Sequence, residues 1–329
     1  MTLLPTAPSA DAGTLRQLPS PRAADPQPRS TMRRIREPRA DRFLNVILLI
    51  VLGILSLSIL YPLLFVLSAS FSDPSAVSSG QVTLWPVGFS VDAYQAIFQY
   101  PLIFQGLLNS LLYAVVLTII ATCATIAGGY ALSRTDLPGR RLLMMVFVFT
   151  MFFSGGMIPS YLVVKSLGML NTPWAMILPG AMSVWQLIVT RTYFQVNVPQ
   201  ELLECSRIDG ASDARFFFQV VIPLSKPIIA VNVLLFAVGS WNSYFNGLIY
   251  LTDEHLYSLP MVMRDILLQN SFDPSRMASA DPAQVEKLKR IADQLKYALI
   301  VVASIPPLLI YPFVQKHFVK GMMVGSLKG

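Results

Sequence analysis

From Leu44 to Phe71 the chain carries not one charged side chain. That run exceeds the roughly 20 apolar residues with which an α-helix crosses about 30 Å of hydrocarbon. Five more apolar runs follow. Together the six cover about residues 43–69, 106–132, 142–164, 173–194, 227–250 and 297–315. Charged residues make up 13% of the 329-residue chain and apolar ones 54%. Soluble domains carry about 25% charge, so much of this surface must face lipid. The predicted fold class is an all-α integral membrane protein with six transmembrane helices. Gly155-Gly156 and Pro159 in the third run, and Pro306-Pro307 in the sixth, predict kinked or partly unwound helices.

Lys and Arg set the orientation, because cytoplasmic loops hold an excess of them. The segments on one side of these spans hold 18 Lys and Arg, and those on the other side hold 7. The richer side contains both termini, the 133–141 connection and the 191–226 connection, so these are expected in the cytoplasm. The net charge of +7 then reflects topology, and nucleic acid is not expected as a partner. Residues 1–42 contain eight Arg, seven Pro and no apolar run, which predicts a disordered basic cytoplasmic arm. Such an arm serves as a topology anchor or touches anionic lipid. Residues 43–329 are expected to form the membrane domain.

No ionisable residue sits in the middle of any span, which argues against a proton- or ion-coupled carrier. The chain has no G-x-x-x-x-G-K-[ST] phosphate loop, no H-E-x-x-H and no G-x-S-x-G. Two Cys and two His supply neither a disulfide framework nor a Cys/His metal site. No catalytic residue, metal site or resident cofactor is therefore expected.

Residues 199–227 carry the most information. The pattern predicts two short helices around a sharp turn. Pro199 suits a helix start, and Glu201 suits the positive helix N-terminus. Gly210 permits the left-handed conformation that ends the first helix. Ser212 caps the second with Asp213 in its first turn. Phe216/Val220 and Phe217/Val221 are expected to pair at i,i+4, and Pro223 to stop the helix before the fifth span. Pattern alone also fits a plain connector lying on the membrane surface.

The residues Glu204-x4-Asp209-Gly210-Ala211-x5-Phe217-x5-Pro223 resemble the coupling loop of the permease subunits of ABC importers. The resemblance implies that this short helix docks on an ATPase subunit and transmits its closure to the spans. Cys205 and Ser206 stand where the family pattern has two alanines. Further stretches extend the resemblance over about residues 43–329: Thr150 to Tyr161, Arg191-Thr-Tyr-Phe194, Pro223-Leu-Ser-Lys-Pro227, Trp241-Asn242, Tyr311-Pro312-Phe313 and the closing Lys320 to Gly329. They are similar to the second permease subunit of carbohydrate importers, and to the branch that handles oligosaccharides released from polysaccharides. This implies several partners: a related permease subunit, two ATPase subunits that bind ATP and Mg, an extracytoplasmic binding protein, an oligosaccharide and membrane lipid. The location implied is the bacterial inner membrane. Cargo other than sugar, or a scaffold or sensor role without transport, are the alternatives.

The fifth run holds Trp241, Asn242, Tyr244 and Asn246. On one continuous helix, Trp241 would share a face with Tyr244 and lie roughly 14 Å deeper than Tyr250. Aromatic rings cover the C–H faces of sugars and amides bond their hydroxyls, so these residues predict either a sugar path or helix packing. Asn109 and Tyr113 are further candidates near the outer end of the second span. The 281–296 segment predicts an amphipathic helix started by Asp281 and Pro282.

Overall fold

The computed structural model describes residues 39–99, 101–272 and 295–312. The basic arm up to residue 38, the 281–294 part of the amphipathic segment and the tail from Phe313 onward lie outside them. Two compact units divide between Leu55 and Ser56, within α1 (Arg39–Ser70). The first unit contributes to the described residues only the exposed start of that helix.

Every regular element among the described residues is helical. After α1 come α2 (Pro74–Ser78), α3 (Asp92–Gln99), α4 (Pro101–Ser133), α5 (Arg140–Phe152), α6 (Met157–Ser166), α7 (Pro173–Ile177) and α8 (Val184–Asn197). Then follow α9 (Gln200–Ile208), α10 (Asp213–Phe216), α11 (Ile222–Leu224), α12 (Lys226–Trp241), α13 (Phe245–Tyr250), α14 (Leu259–Phe272) and α15 (Leu295–Pro312). Three helices are long and apolar enough to cross a membrane: α1 from Asp41 onward, α4 and α15. Three bent helix pairs bring the number to six if each pair is one span.

Helix α4 is the centre of the second unit, packed against α8, α12 and α14. Its apolar residues are not confined to one stripe, as expected of a helix that is covered by neighbours. Gly129 makes the α4–α8 approach possible: a Cβ there would lie 2.8 Å from Cγ2 of Thr190. Small residues give membrane helices this closeness, which van der Waals packing then exploits. Beside it, buried Asn232 of α12 donates to the Thr190 hydroxyl at 2.9 Å and ties α12 to α8.

The breaks differ from the expected ones in instructive ways. The third run is broken outright at Phe153–Gly156, where α5 and α6 meet at 115°. In the sixth run the helix is not unwound: α15 continues through Pro306-Pro307. Proline there removes the N–H that would bond the carbonyl four residues earlier. For Pro307 that carbonyl is Ala303, and it accepts the indole N–H of Trp241 at 3.0 Å instead. A neighbouring helix thus satisfies the freed carbonyl, as membrane helices require. Before the fifth span the helical stretch Asp213–Leu224 ends one residue after Pro223, as expected of a proline at that place. Phe217–Val221 winds as a π-turn, and Phe216, Phe217, Val220 and Val221 all join one apolar cluster. The chain bends by 77° around Ser225 before α12 begins.

Candidate functional site

Helix α9 and the turn after it are fixed by local chemistry. Residue Gly210 has φ +74°, the left-handed conformation that glycine adopts without strain. The Ala211 N–H donates to the Ser206 carbonyl at 2.9 Å, and the Gly210 N–H to the Arg207 carbonyl at 3.0 Å. This is the Schellman pattern that closes a helix C-terminus. Two residues on, the Ser212 hydroxyl accepts from the Arg215 N–H and caps α10, with Asp213 in its first turn. Pro199 stands at the cap position of α9, one residue before the helix proper.

One residue anchors α9 to the second unit. Leu203 is buried in a cluster with Ile126, Phe194, Phe216, Val221 and Ile228. The Phe217 ring packs against it, 5.0 Å from the Tyr130 ring. The opposite side of α9 is open: Glu201, Glu204, Cys205 and Ile208 are all exposed. Ser206 is half-buried and donates to the Leu203 carbonyl at 2.8 Å. Glu204 accepts from the Gln200 amide at 3.2 Å, and Gln200 accepts from the Thr135 hydroxyl at 2.9 Å. That chain holds the Glu204 carboxylate in one direction. Asp209 and Pro223 are exposed at the two ends of the platform.

An ionic cluster that sequence reasoning missed locks this platform to the end of α4. Arg134 bonds Asp136 at 2.6 Å and Asp213 at 3.1 Å. Arg207 of α9 bonds the same Asp136 at 3.0 Å and Asp213 at 3.4 Å. The Arg134 hydrogen bond, aided by Arg207, holds the Asp136 carboxyl well below the usual carboxylate range. Asp136 in turn raises the Arg134 and Arg207 guanidinium values. Arg140 and Arg191 donate to the Arg134 and Leu132 carbonyls, so cations complete the C-terminal end of α4. A cavity of about 300 Å³ lies among Tyr130, Arg134, Gln195, Gln200, Glu204 and Arg207. The signal available in sequence was the density of Arg and Asp in the short 134–140 connection. Ile208, also passed over, is 86% exposed on the open side of α9.

The second set of candidates divides. The chain leaves the helical path at Asn242–Tyr244, between α12 and α13, so the single-face argument for Trp241 and Tyr244 and the depth measured from Tyr250 both fail. Even so, Trp241, Asn242 and Tyr244 line one cavity of about 1040 Å³, together with Arg264 and residues of α15. The Trp241 ring is 6% exposed and also walls a second, apolar cavity of about 460 Å³. Asn246 does not line the larger cavity. Asn109 and Tyr113 hold a loop instead. The Asn109 amide donates to the His255 and Tyr257 carbonyls at 2.7 and 3.0 Å, and the Tyr113 hydroxyl to the Leu256 carbonyl at 2.8 Å. Asn171, at φ +56°, accepts from the Thr252 and Asp253 N–H groups at the other end of that loop. Their polar atoms are thus occupied, and neither Asn109 nor Tyr113 reaches the larger cavity.

Comparison with known proteins places this geometry in a family. Residues 30–324 match the model of the "binding-protein-dependent transport system inner membrane component". The chain is 44% identical to the polygalacturonan/rhamnogalacturonan transport system permease protein YtcP of Bacillus subtilis, over 82% of this chain and 92% of that protein. It is 37% identical to the protein LplC of the same organism, over 88% and 97%. Among solved structures it is similar to a chain of a bacterial ABC transporter involved in the import of the acidic polysaccharide alginate. There the TM-score is 0.78 at 30% identity, covering 86% of this chain and 99% of that one. The family match spans the α9–α10 platform, the α4 bundle and the broken spans, and the chain belongs to the family of binding-protein-dependent transport system inner membrane components.

Proposed function

We propose that this chain is the permease subunit of an ATP-driven importer that carries polysaccharide-derived oligosaccharides into the cytoplasm. The α9 platform carries the reading: a short helix, anchored through Leu203 and clasped by four charged side chains, with Glu204, Cys205 and Ile208 facing outward. In the proposed assembly this face docks on an ATPase subunit, with Glu204, Cys205, Ser206, Asp209, Gly210, Ala211, Phe217 and Pro223 forming the coupling loop. Closure of the ATPases, which bind the ATP and Mg, would move α9. The ionic cluster would pass that motion to α4, around which α8, α12 and α14 pack. The other partners are a second, related permease and an extracytoplasmic binding protein. Both termini would lie in the cytoplasm, and the path would run by Trp241, Asn242 and Tyr244. The cargo reading is supported by relatives named for polygalacturonan/rhamnogalacturonan and alginate transport.

The test is uptake by the assembled complex in proteoliposomes. The proposal expects oligosaccharide uptake that needs ATP and the binding protein and that is indifferent to ion gradients. Uptake driven by a gradient without ATP would overturn it. ATP-driven uptake of a non-sugar solute in place of every oligosaccharide would overturn the cargo alone.

A further inference from the structure

The larger cavity contains a charge that nothing in a neutral-sugar path requires. Pro260, Met263 and Arg264 recur at i, i+3 and i+4, so one face of α14 forms its wall. The remaining walls are mostly aliphatic, from Leu63, Val66, Ile300 and their neighbours. Among the described residues Arg264 is the one cation that lines it. Its single ion pair runs from Nη1 to the adjacent Asp265 at 3.2 Å, and Asp265 is not part of the wall. A guanidinium has five N–H donors in a fork that fits a carboxylate bidentately, so most of its capacity is unused. The Arg264 side chain is 37% exposed, so its unused donors are open to a ligand. On the same cavity, the side chains of Asn242 and Tyr244 are exposed and have no hydrogen-bond partner among the described residues, so both are open to a ligand. The volume, about 1040 Å³, is at the upper end for small-ligand sites.

We infer that Arg264 makes this cavity selective for acidic oligosaccharides, by receiving a uronate carboxylate while Asn242 and Tyr244 bond sugar hydroxyls. The inference rests on the oligosaccharide reading above and names its chemical class. Arg264 is then a specificity-determining residue at the entrance to the path. The other occupant the cavity could have is a flank of the partner permease.

The assembled complex tests this with two probes of equal length, trigalacturonate and its fully methyl-esterified, neutral form. The binding protein is the same in every arm, so a changed preference belongs to this chain. The inference expects wild type to take up trigalacturonate. Arg264→Gln should lower that uptake roughly tenfold per assembled complex, and Arg264→Lys, which keeps the charge but not the fork, should lower it less. Asn242→Asp, which sets a like charge facing the carboxylate, should lower trigalacturonate uptake while sparing whatever neutral uptake wild type shows. Equal loss in the Gln and Lys variants, or unchanged uptake in Arg264→Gln, would overturn the inference. So would a lower yield of the complex with uptake per complex preserved, which would assign the cavity to the partner permease. Wild-type uptake of the neutral probe alone would sink the acidic class and leave the oligosaccharide reading standing. ATP-dependent transport of neither probe, nor of any other oligosaccharide, would sink the reading beneath it.

Discussion

The α9–α10 platform and the Trp241–Tyr244 break are built on opposite plans. In the first, the hydrogen-bonding groups at the turn are occupied: Gly210, Ala211 and Ser212 close one helix and open the next. Four charges then fasten it to α4. In the second, helix stops for three residues, two polar side chains are left without partners, and the walls around them are aliphatic. In the proposed function the clasped platform is the transmitting region and the open break the receiving one, and the two differ in how completely their polar groups are bonded within the protein.

The strongest way to break that contrast is to remove the most buried side chain of the break. Trp241 is the packed member of the break, buried and bonded to Ala303. Trp241→Ala should cost about 3 to 5 kcal/mol, read as a lower melting temperature and yield of the complex. A change of preference between oligosaccharides, with stability intact, would instead make the indole a sugar contact. On the platform, Leu203→Ala removes the anchor and should cost about 2 to 3 kcal/mol. Its signature is a loss of substrate-stimulated ATP hydrolysis with the transporter still inserted. Gly210→Val meets open space but must adopt a positive φ, a strain of about 1 to 2 kcal/mol. Stimulated hydrolysis should fall here too, and Gly210→Asn, which tolerates that backbone, should retain most of it. Full stimulation in Gly210→Val would show that the turn does not position α9.

The smallest effect belongs to the ionic cluster. Its members are partly exposed, so Asp136→Asn should cost less than about 1 kcal/mol. The sign of its pH dependence is fixed. The folded-state carboxyl is depressed, so its contribution is present above the ordinary value of about 3.9 and is lost as pH falls through the lower folded value. Coupling measured between pH 5 and 8 should therefore not change on account of this cluster. A midpoint near neutrality that disappears in Asp136→Asn would contradict the assignment.

Much of the platform was legible in the sequence because its determinants are short-range. The Gly210 turn, the Ser212 cap and the exposed Glu204 follow from neighbours within a few residues. The ionic cluster was not legible, since Arg134 and Asp136 meet Arg207 and Asp213 only after the bundle has folded. The same holds for the break. A run of apolar residues through Tyr250 has the composition of one helix, and nothing local says that it stops at Trp241. Pro306-Pro307 shows the same limit. A local rule says that Pro307 frees a carbonyl, but only the fold shows that an indole from a helix distant in the chain satisfies it. Asn109 and Tyr113 have the polar chemistry of a sugar path, and only the folded loop shows them bonded to its backbone.

The central claim is that α9 docks on an ATPase from the cytoplasmic side, and Cys205 reports on it without new chemistry. It is a free, exposed thiol on the outward side of α9. With Cys123→Ser as background, an impermeant thiol reagent should leave Cys205 unlabelled in intact cells. It should label Cys205 in inside-out vesicles stripped of the ATPase, and the labelling should be lost when the ATPase is restored. Labelling from outside, or labelling in inside-out vesicles that the restored ATPase does not diminish, would contradict the docking of α9.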